Sequence, residues 1–143
     1  MDAPDVRTHR GVDRRLCGEP LSVAPGAARV ALATLPEMAV DETGLVHGGF
    51  VFGLADHAAM LAVNRANVVL GSAEVRFERP VVVGDRLVAD AWVEETSERK
   101  RFVRVLVARE GQEGSAVFSG RFVCLVPERH VLAPRPAGRE PLR

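Results

Sequence analysis

The stretch that decides the fold is His47-Gly48-Gly49-Phe50-Val51-Phe52-Gly53-Leu54-Ala55-Asp56-His57-Ala58-Ala59-Met60-Leu61-Ala62-Val63-Asn64. From residue 50 to 64 it has almost no polar face, and it is rich in Ala, Leu and Met, which favour helix. A helix that is apolar all round has to be buried on all sides. It is too short, and too interrupted by Asp56 and His57, to cross a bilayer. A chain of 143 residues covers such a helix poorly by itself, so a second copy packing beside it is expected.

Working outward, the flanks alternate with the period of strands. Val30, Leu32 and Thr34 oppose Ala31, Ala33 and Leu35 until Pro36 ends the run. Ala73, Val75 and Phe77 alternate with Glu74, Arg76 and Glu78, which predicts a strand with one wet face. Pro80 interrupts it and Gly84-Asp85 marks a turn. Further strands are expected over 86–95, 101–108 and 116–126, the last two joined by the turn Glu110-Gly111-Gln112-Glu113-Gly114. The fold class is α+β: one long central helix wrapped by a curved antiparallel sheet. Residues 1–28 read as an N-terminal extension. It carries a short helix over 11–17, closed by Gly18 in the left-handed conformation, and a connector over 19–26. Residues 29–126 form the domain, and 127–143 a flexible tail rich in Pro and Arg.

Composition narrows the function. Basic and acidic residues balance at 19 each, which gives no reason to expect a nucleic acid partner. Lys100 is the sole lysine; this arginine bias suits phosphate or carboxylate recognition, and a high-GC coding bias would give the same skew. Cys17 and Cys124 show neither metal-ligand spacing nor a disulfide framework, and residues 1–5 lack the basic and apolar regions of an export signal. A reducing, cytoplasmic setting is the expectation, with no membrane contact, metal or other cofactor.

Gly48 and Gly49 open the helix, where glycine admits a ligand close to the backbone and the unpaired N–H groups favour negative charge. A thioester carbonyl under attack develops such charge. Asp56 is the only acid inside the apolar helix; burial there raises the pKa of a carboxyl group and makes it a better base. A structural Asp bonded across a helix contact is the alternative, and the neighbouring Gly-Gly start favours a catalytic role. Eight residues along a helix span roughly 12 Å, so Gly48 and Asp56 of one chain cannot meet on one carbonyl carbon. Two antiparallel helices from two chains would bring them together. His47 is read as shaping the Gly-Gly turn, His57 as structural at the subunit contact, and Cys124 as an inert buried thiol. Gly49, Phe50, Phe52, Asn64 and Phe77 are candidate substrate contacts, Asn64 alternatively closing the helix. Arg76, Arg79, Arg99, Lys100 and Arg101 are candidates for phosphate contact, none singled out.

The segment His47-Gly48-Gly49, six residues, then Asp56, with Asn64 eight further on, resembles hotdog-fold thioesterases of the phenylacetate-pathway type. The likeness continues through Phe77-Glu78-Arg79-Pro80, Gly84-Asp85-Arg86-Leu87, Ala91 and Val117-Phe118-Ser119-Gly120. It implies a hotdog fold, hydrolysis of acyl-CoA, and no metal or redox cofactor. It also implies Asp56 as general base or nucleophile, Gly48 N–H polarising the thioester, His47 in support, and homodimers commonly paired into tetramers. Met60 stands where some relatives carry a hydroxyl residue. Gly18-Glu19-Pro20-Leu21 also looks like the ligand-binding half of hotdog regulators of lipid synthesis, which bind acyl-CoA products without cleaving them. A non-catalytic acyl-CoA-binding module therefore ranks second, and a hotdog hydratase third.

Overall fold

The apolar stretch does form a helix. In the computed structural model, which describes residues 4–134, helix α2 spans Gly48–Val63. It opens at His47, whose extended backbone and ring Nδ1 cap the start: Gly49 N–H donates to Nδ1 at 2.7 Å. It closes at Asn64, which takes the left-handed conformation (φ 52°, ψ 45°) and donates its N–H to Met60 O. Leu54, Ala55, Ala58, Ala59, Met60 and Leu61 are wholly buried. Phe50, Phe52, Gly53, Asp56 and Val63 are only half-buried, so one chain leaves part of the helix uncovered.

The wrapping layer is a six-stranded antiparallel sheet of β1 (Glu19–Ala24), β2 (Ala27–Ala33), β3 (Val69–Phe77), β4 (Arg86–Ser97), β5 (Lys100–Arg109) and β6 (Ala116–Leu125). Their order across the sheet is β1-β2-β4-β5-β6-β3, and the sheet is open rather than closed into a barrel. Val103, Val105 and Val107 on β5 meet Phe118, Phe122 and Cys124 on β6 beneath the helix, all wholly buried. Because side chains alternate across a strand, Phe102, Arg104 and Leu106 take the outer face. This is the hotdog arrangement expected from the sequence. Strand β3 hydrogen-bonds to β6 along one side only; its other edge has no partner strand among the described residues.

Three local expectations need correction. The segment read as a connector is β1, which pairs with β2 from Glu19↔Ala31 to Ala24↔Ala27. Pro25-Gly26 is its hairpin turn, with Gly26 at φ 78°. Pro20 sits beside a bulge on the edge strand, where a missing N–H costs no ladder bond. The sheet thus begins inside the expected extension. Helix α1 is shorter than expected, Arg14–Cys17, and the Gly18 that ends it has φ 104° and ψ 155°, outside the left-handed helical region. A Cβ at Gly18 would stand 2.7 Å from Val30 Cγ1 and 2.8 Å from Leu54 Cδ1, so close packing requires glycine there as much as conformation does. Finally, His57 is 3% exposed and its Nδ1–H donates to Cys17 O at 3.1 Å. It anchors the chain's own N-terminal segment rather than a subunit contact. Residues 135–143 of the expected tail lie outside the described residues.

The same N-terminal segment is tied to the far end of α2. Asn64 Oδ1 accepts from Arg7 N and its Nδ2 donates to Asp5 O, both at 2.8 Å. Thr8, between these contacts and α1, is buried.

The His47 cap predicts a graded response in chemical unfolding at fixed protein concentration. His47→Ala removes the acceptor for Gly49 N–H and should cost about 1 kcal/mol, whereas His47→Asn, which restores a side-chain acceptor, should recover most of it. Equal losses in both variants would show that the ring is not serving as a cap.

Candidate active site

A cavity of about 350 Å³ opens beside the first turn of α2. Gly48 and Val51 of the helix, Val46 before it, Phe77 at the end of β3, and Val81 and Val117 form most of its wall. Both glycines are held to their identity by contact. A Cβ at Gly48 would lie 3.1 Å from Phe77 Cε1, and one at Gly49 would lie 2.8 Å from His47 Nδ1. The aromatic ring therefore rests on the helix start from one side and the imidazole from another. Accepting a hydrogen bond at Nδ1 leaves the hydrogen of the neutral His47 ring on Nε2. Gly48, as the first helical residue, has no intrahelical acceptor for its N–H.

The cavity rim comes from the Phe77-Glu78-Arg79-Pro80 block. Val117 O accepts from both Glu78 N and Arg79 N, at 2.8 and 3.2 Å. Ser119 Oγ donates to Glu78 Oε1 at 3.1 Å, and Arg79 Nη1 donates to Ala116 O. The pairing Phe77↔Phe118 holds this block against the helix start. Reading the residues one by one did not pick out Val51, Glu78, Val81 or Val117 as cavity walls. The turn-like Glu78-Arg79-Pro80 was the available signal.

Asp56 lies two turns along α2 from Gly48. By the rise of a helix that is roughly 12 Å, so the two groups of one chain do not converge. Asp56 Oδ1 is buried and, among the described residues, has no hydrogen-bond partner. Burial pushes the Asp56 carboxyl from 3.8 up to about 6. The Cys124 thiol is pushed up to about 12, chiefly by burial and further by the Asp56 carboxylate. It stays protonated and inert at neutral pH. An unpartnered carboxylate in an apolar setting suits proton abstraction and contributes nothing to packing.

The other sequence candidates divide. Phe50 stands edge-on to His47 at 6.1 Å, and Phe77 is 56% exposed although it lines the cavity. Phe52 is away from the cavity, packed on Phe122 (5.5 Å) and Phe118 (6.4 Å). Asn64 sits at the opposite end of α2, with both ends of its amide engaged by the backbone of residues 5 and 7. The structure thus gathers His47, Gly48, Gly49, Phe50 and Phe77 at one place, and leaves Asp56 and Asn64 elsewhere on the same chain.

Similarity to known proteins places this geometry in a family. Residues 43–116 match the profile of the thioesterase superfamily. The chain superposes on the structure of an uncharacterised protein, PH1136 from Pyrococcus horikoshii, with TM-score 0.87 and 53% identity, covering 93% of this chain and all of that one. It also superposes on a point mutant of the phenylacetic acid degradation protein PaaI from Thermus thermophilus, with TM-score 0.70 and 34% identity over 78% of this chain and 95% of that one. In sequence it is 48% identical over 118 residues to a methylthioribose-1-phosphate isomerase of Aquifex aeolicus, covering 82% of this chain and 25% of that protein. It is 30% identical over 131 residues to the transcription factor FapR of a Thermoanaerobacter species, covering 91% of this chain and 63% of that one. The chain spans less than two thirds of the length of these two curated relatives. No helix among the described residues is long and apolar enough to cross a membrane. By profile, fold and the glycine-opened helix together, the chain belongs to the thioesterase superfamily and is a hotdog-fold member of the PaaI type.

Proposed function

We propose that the protein hydrolyses an acyl-CoA thioester to the free acid and CoA, at a site completed by two copies of the chain. The observation that carries this reading is the desolvated, unpartnered Asp56 carboxylate on the same helix as a glycine start with a free N–H. The two antiparallel helices cross so that Gly48 of one chain faces the partner subunit's Asp56. The free edge of β3 pairs with the partner's β3, which hides a row of exposed N–H and C=O groups. The thioester carbonyl oxygen takes the Gly48 N–H. The partner subunit's Asp56 removes a proton from water as the water oxygen adds to the carbonyl carbon. The tetrahedral oxyanion then collapses, the C–S bond breaks, and the departing CoA sulfur recovers the proton from Asp56. Nothing in this sequence of steps calls for a metal or redox cofactor. The balanced charge of the chain and its two free cysteines fit a cytoplasmic enzyme with no nucleic acid partner.

A second reading has specific support. The similarity to FapR extends over 91% of this chain and so takes in the N-terminal segment. On that reading the same pocket holds an acyl-CoA without cleaving it. Release of thiol from a panel of short, medium, long-chain and aryl acyl-CoAs separates the two: hydrolysis abolished by Asp56→Asn supports the enzyme, and saturable binding with no release supports the binding module.

Two pH dependences follow from Asp56. As a base it acts only when ionised, so kcat/KM should rise with pH through about 6 and then level off; a profile flat down to pH 4 would remove Asp56 from the mechanism. Asp56→Asn should lower kcat at least about 100-fold at pH 8. Stability runs the other way. The fold favours the protonated carboxyl, so that contribution is present below pH 3.8 and lost as pH rises through about 6. At neutral pH the ionised group costs of order 3 kcal/mol. Asp56→Asn should therefore melt above the wild type at pH 7.5, with the gap closing at pH 4; a lower melting temperature at pH 7.5 would contradict it.

A further inference from the structure

We infer that the corner formed by the β4–β5 turn and the residues after α2 is a phosphate-binding cradle, and that it holds the nucleotide end of the thioester bound at the partner subunit's Gly48. This rests on the two-copy site proposed above and extends it to the part of the substrate that does not react. A second cavity of about 310 Å³ lies at this corner, lined by Arg65, Asn67, Arg99 and Arg101 together with Glu98 and Glu128. Lys100 stands in the same turn, giving four cations against two carboxylates.

The corner is built rather than frayed. Glu98 takes a positive φ of 48° to turn the chain, and the Arg101 guanidinium donates to both Glu98 O and Lys100 O at 3.1 Å. Val126 N donates to Arg99 O at 2.6 Å, and Asn67 Nδ2 to Glu128 O at 3.1 Å, so three segments are laced together by the backbone. Elsewhere on the sheet, arginines such as Arg29, Arg86, Arg104, Arg109 and Arg121 face a carboxylate. Among the described residues, the Arg65 and Lys100 side chains have neither a carboxylate nor a hydrogen-bond partner, and Arg101 contacts only carbonyl oxygens on the protein side. Arg99 pairs with Glu128, but both side chains are more than half exposed, and such pairs exchange readily for a phosphate.

Distance decides which active site the corner serves. Val69, Leu125 and Lys100 lie side by side on β3, β6 and β5. Phe77, beside Gly48, is eight residues further along β3, or roughly 26 Å. The pantetheine arm of CoA is about as long as four or five extended residues, roughly 15 Å, and does not reach. With two β3 strands paired antiparallel about Ala73, the partner subunit's Val69 falls beside Phe77. The partner subunit's Lys100 is then three strand spacings away, about 14 Å, which the arm spans. The Asp56 and the cradle that serve one thioester therefore come from the same chain, and the Gly48 from the other.

The test compares one acyl group carried on CoA, on dephospho-CoA and on pantetheine, with wild type and the Arg65→Glu/Lys100→Glu variant, both positions being exposed and free of side-chain contacts that hold the fold. KM for the CoA thioester should rise about tenfold or more, the loss of one or two charge-assisted phosphate contacts, and its salt dependence should flatten. KM for the pantetheine thioester should not follow. Equal changes on both carriers, or none on either, would overturn the cradle. Should the wild type prove unable to hydrolyse anything, calorimetric titration with CoA, and with inorganic phosphate as the competing source, still decides. Weaker CoA binding by the variant supports the cradle while the thioesterase reading falls; unchanged CoA affinity, or an effect on inorganic phosphate alone, overturns it. Mixing the variant with Asp56→Asn tests the placement. No mixed assembly should regain the wild-type KM for CoA thioester, because no site then has an intact Asp56 and an intact cradle from one chain. Recovery of that KM would assign the cradle to the Gly48 chain instead.

Discussion

Everything about this molecule turns on a carboxylate placed inside a helix that has no polar face. Asp56 interrupts sixteen residues of otherwise apolar or small character, and the chain must bury that helix to fold. The buried Oδ1 has no partner to offset its desolvation, and the pKa rises accordingly. A residue that costs the fold stability at neutral pH, and contributes nothing to packing, is a group kept for its chemistry.

The rest of the architecture can be understood as the means of covering that helix on every side but one. The sheet curls over it from β2 to β6, and the N-terminal segment closes another side through His57, Asn64 and the tight approach of Gly18 to Leu54. What remains open is the half-buried stripe of Phe52, Asp56 and Val63, beside a sheet edge with no strand on it. Free backbone edges and exposed apolar stripes are both costly alone, and one symmetric partner removes both. Pairing that completes the fold also carries Asp56 to the glycine start that its own chain holds out of reach.

How much of this is legible in the sequence depends on whether the signal is local. The helix, the strands from β2 to β6 and the special character of Gly48 and Asp56 are written in periodicity and in a single misplaced charge. Strand β1 is not, because Pro20, Pro25 and Gly26 dominate a short edge strand whose only partner is β2. The roles of His57 and Asn64 are not, because their partners are backbone atoms 40 and 59 residues away, which no spacing rule connects. The cavity wall is not, because Val117 reaches Glu78 and Arg79 only through the pairing of β3 with β6. Asn64 marks the sharpest limit: eight residues from Asp56 it looks like part of a site, yet its amide is occupied by the chain's own N-terminal segment.

That engagement of Asn64 has a consequence for how the site is built. The far end of α2 is anchored through a side chain that holds two backbone groups, while the near end is capped by His47 and overlain by Phe77. A helix pinned at both ends cannot slide, and in an antiparallel pair any slide would move Gly48 and the facing Asp56 in opposite senses. Since reacting groups must come within about 3–3.5 Å of one another, one residue of helix rise, about 1.5 Å, is enough to break the alignment. The caps, the N-terminal segment and the sheet edge therefore share one physical task, which is to fix the axial position of α2 so that a glycine from one chain and a carboxylate from the other meet on the same carbon.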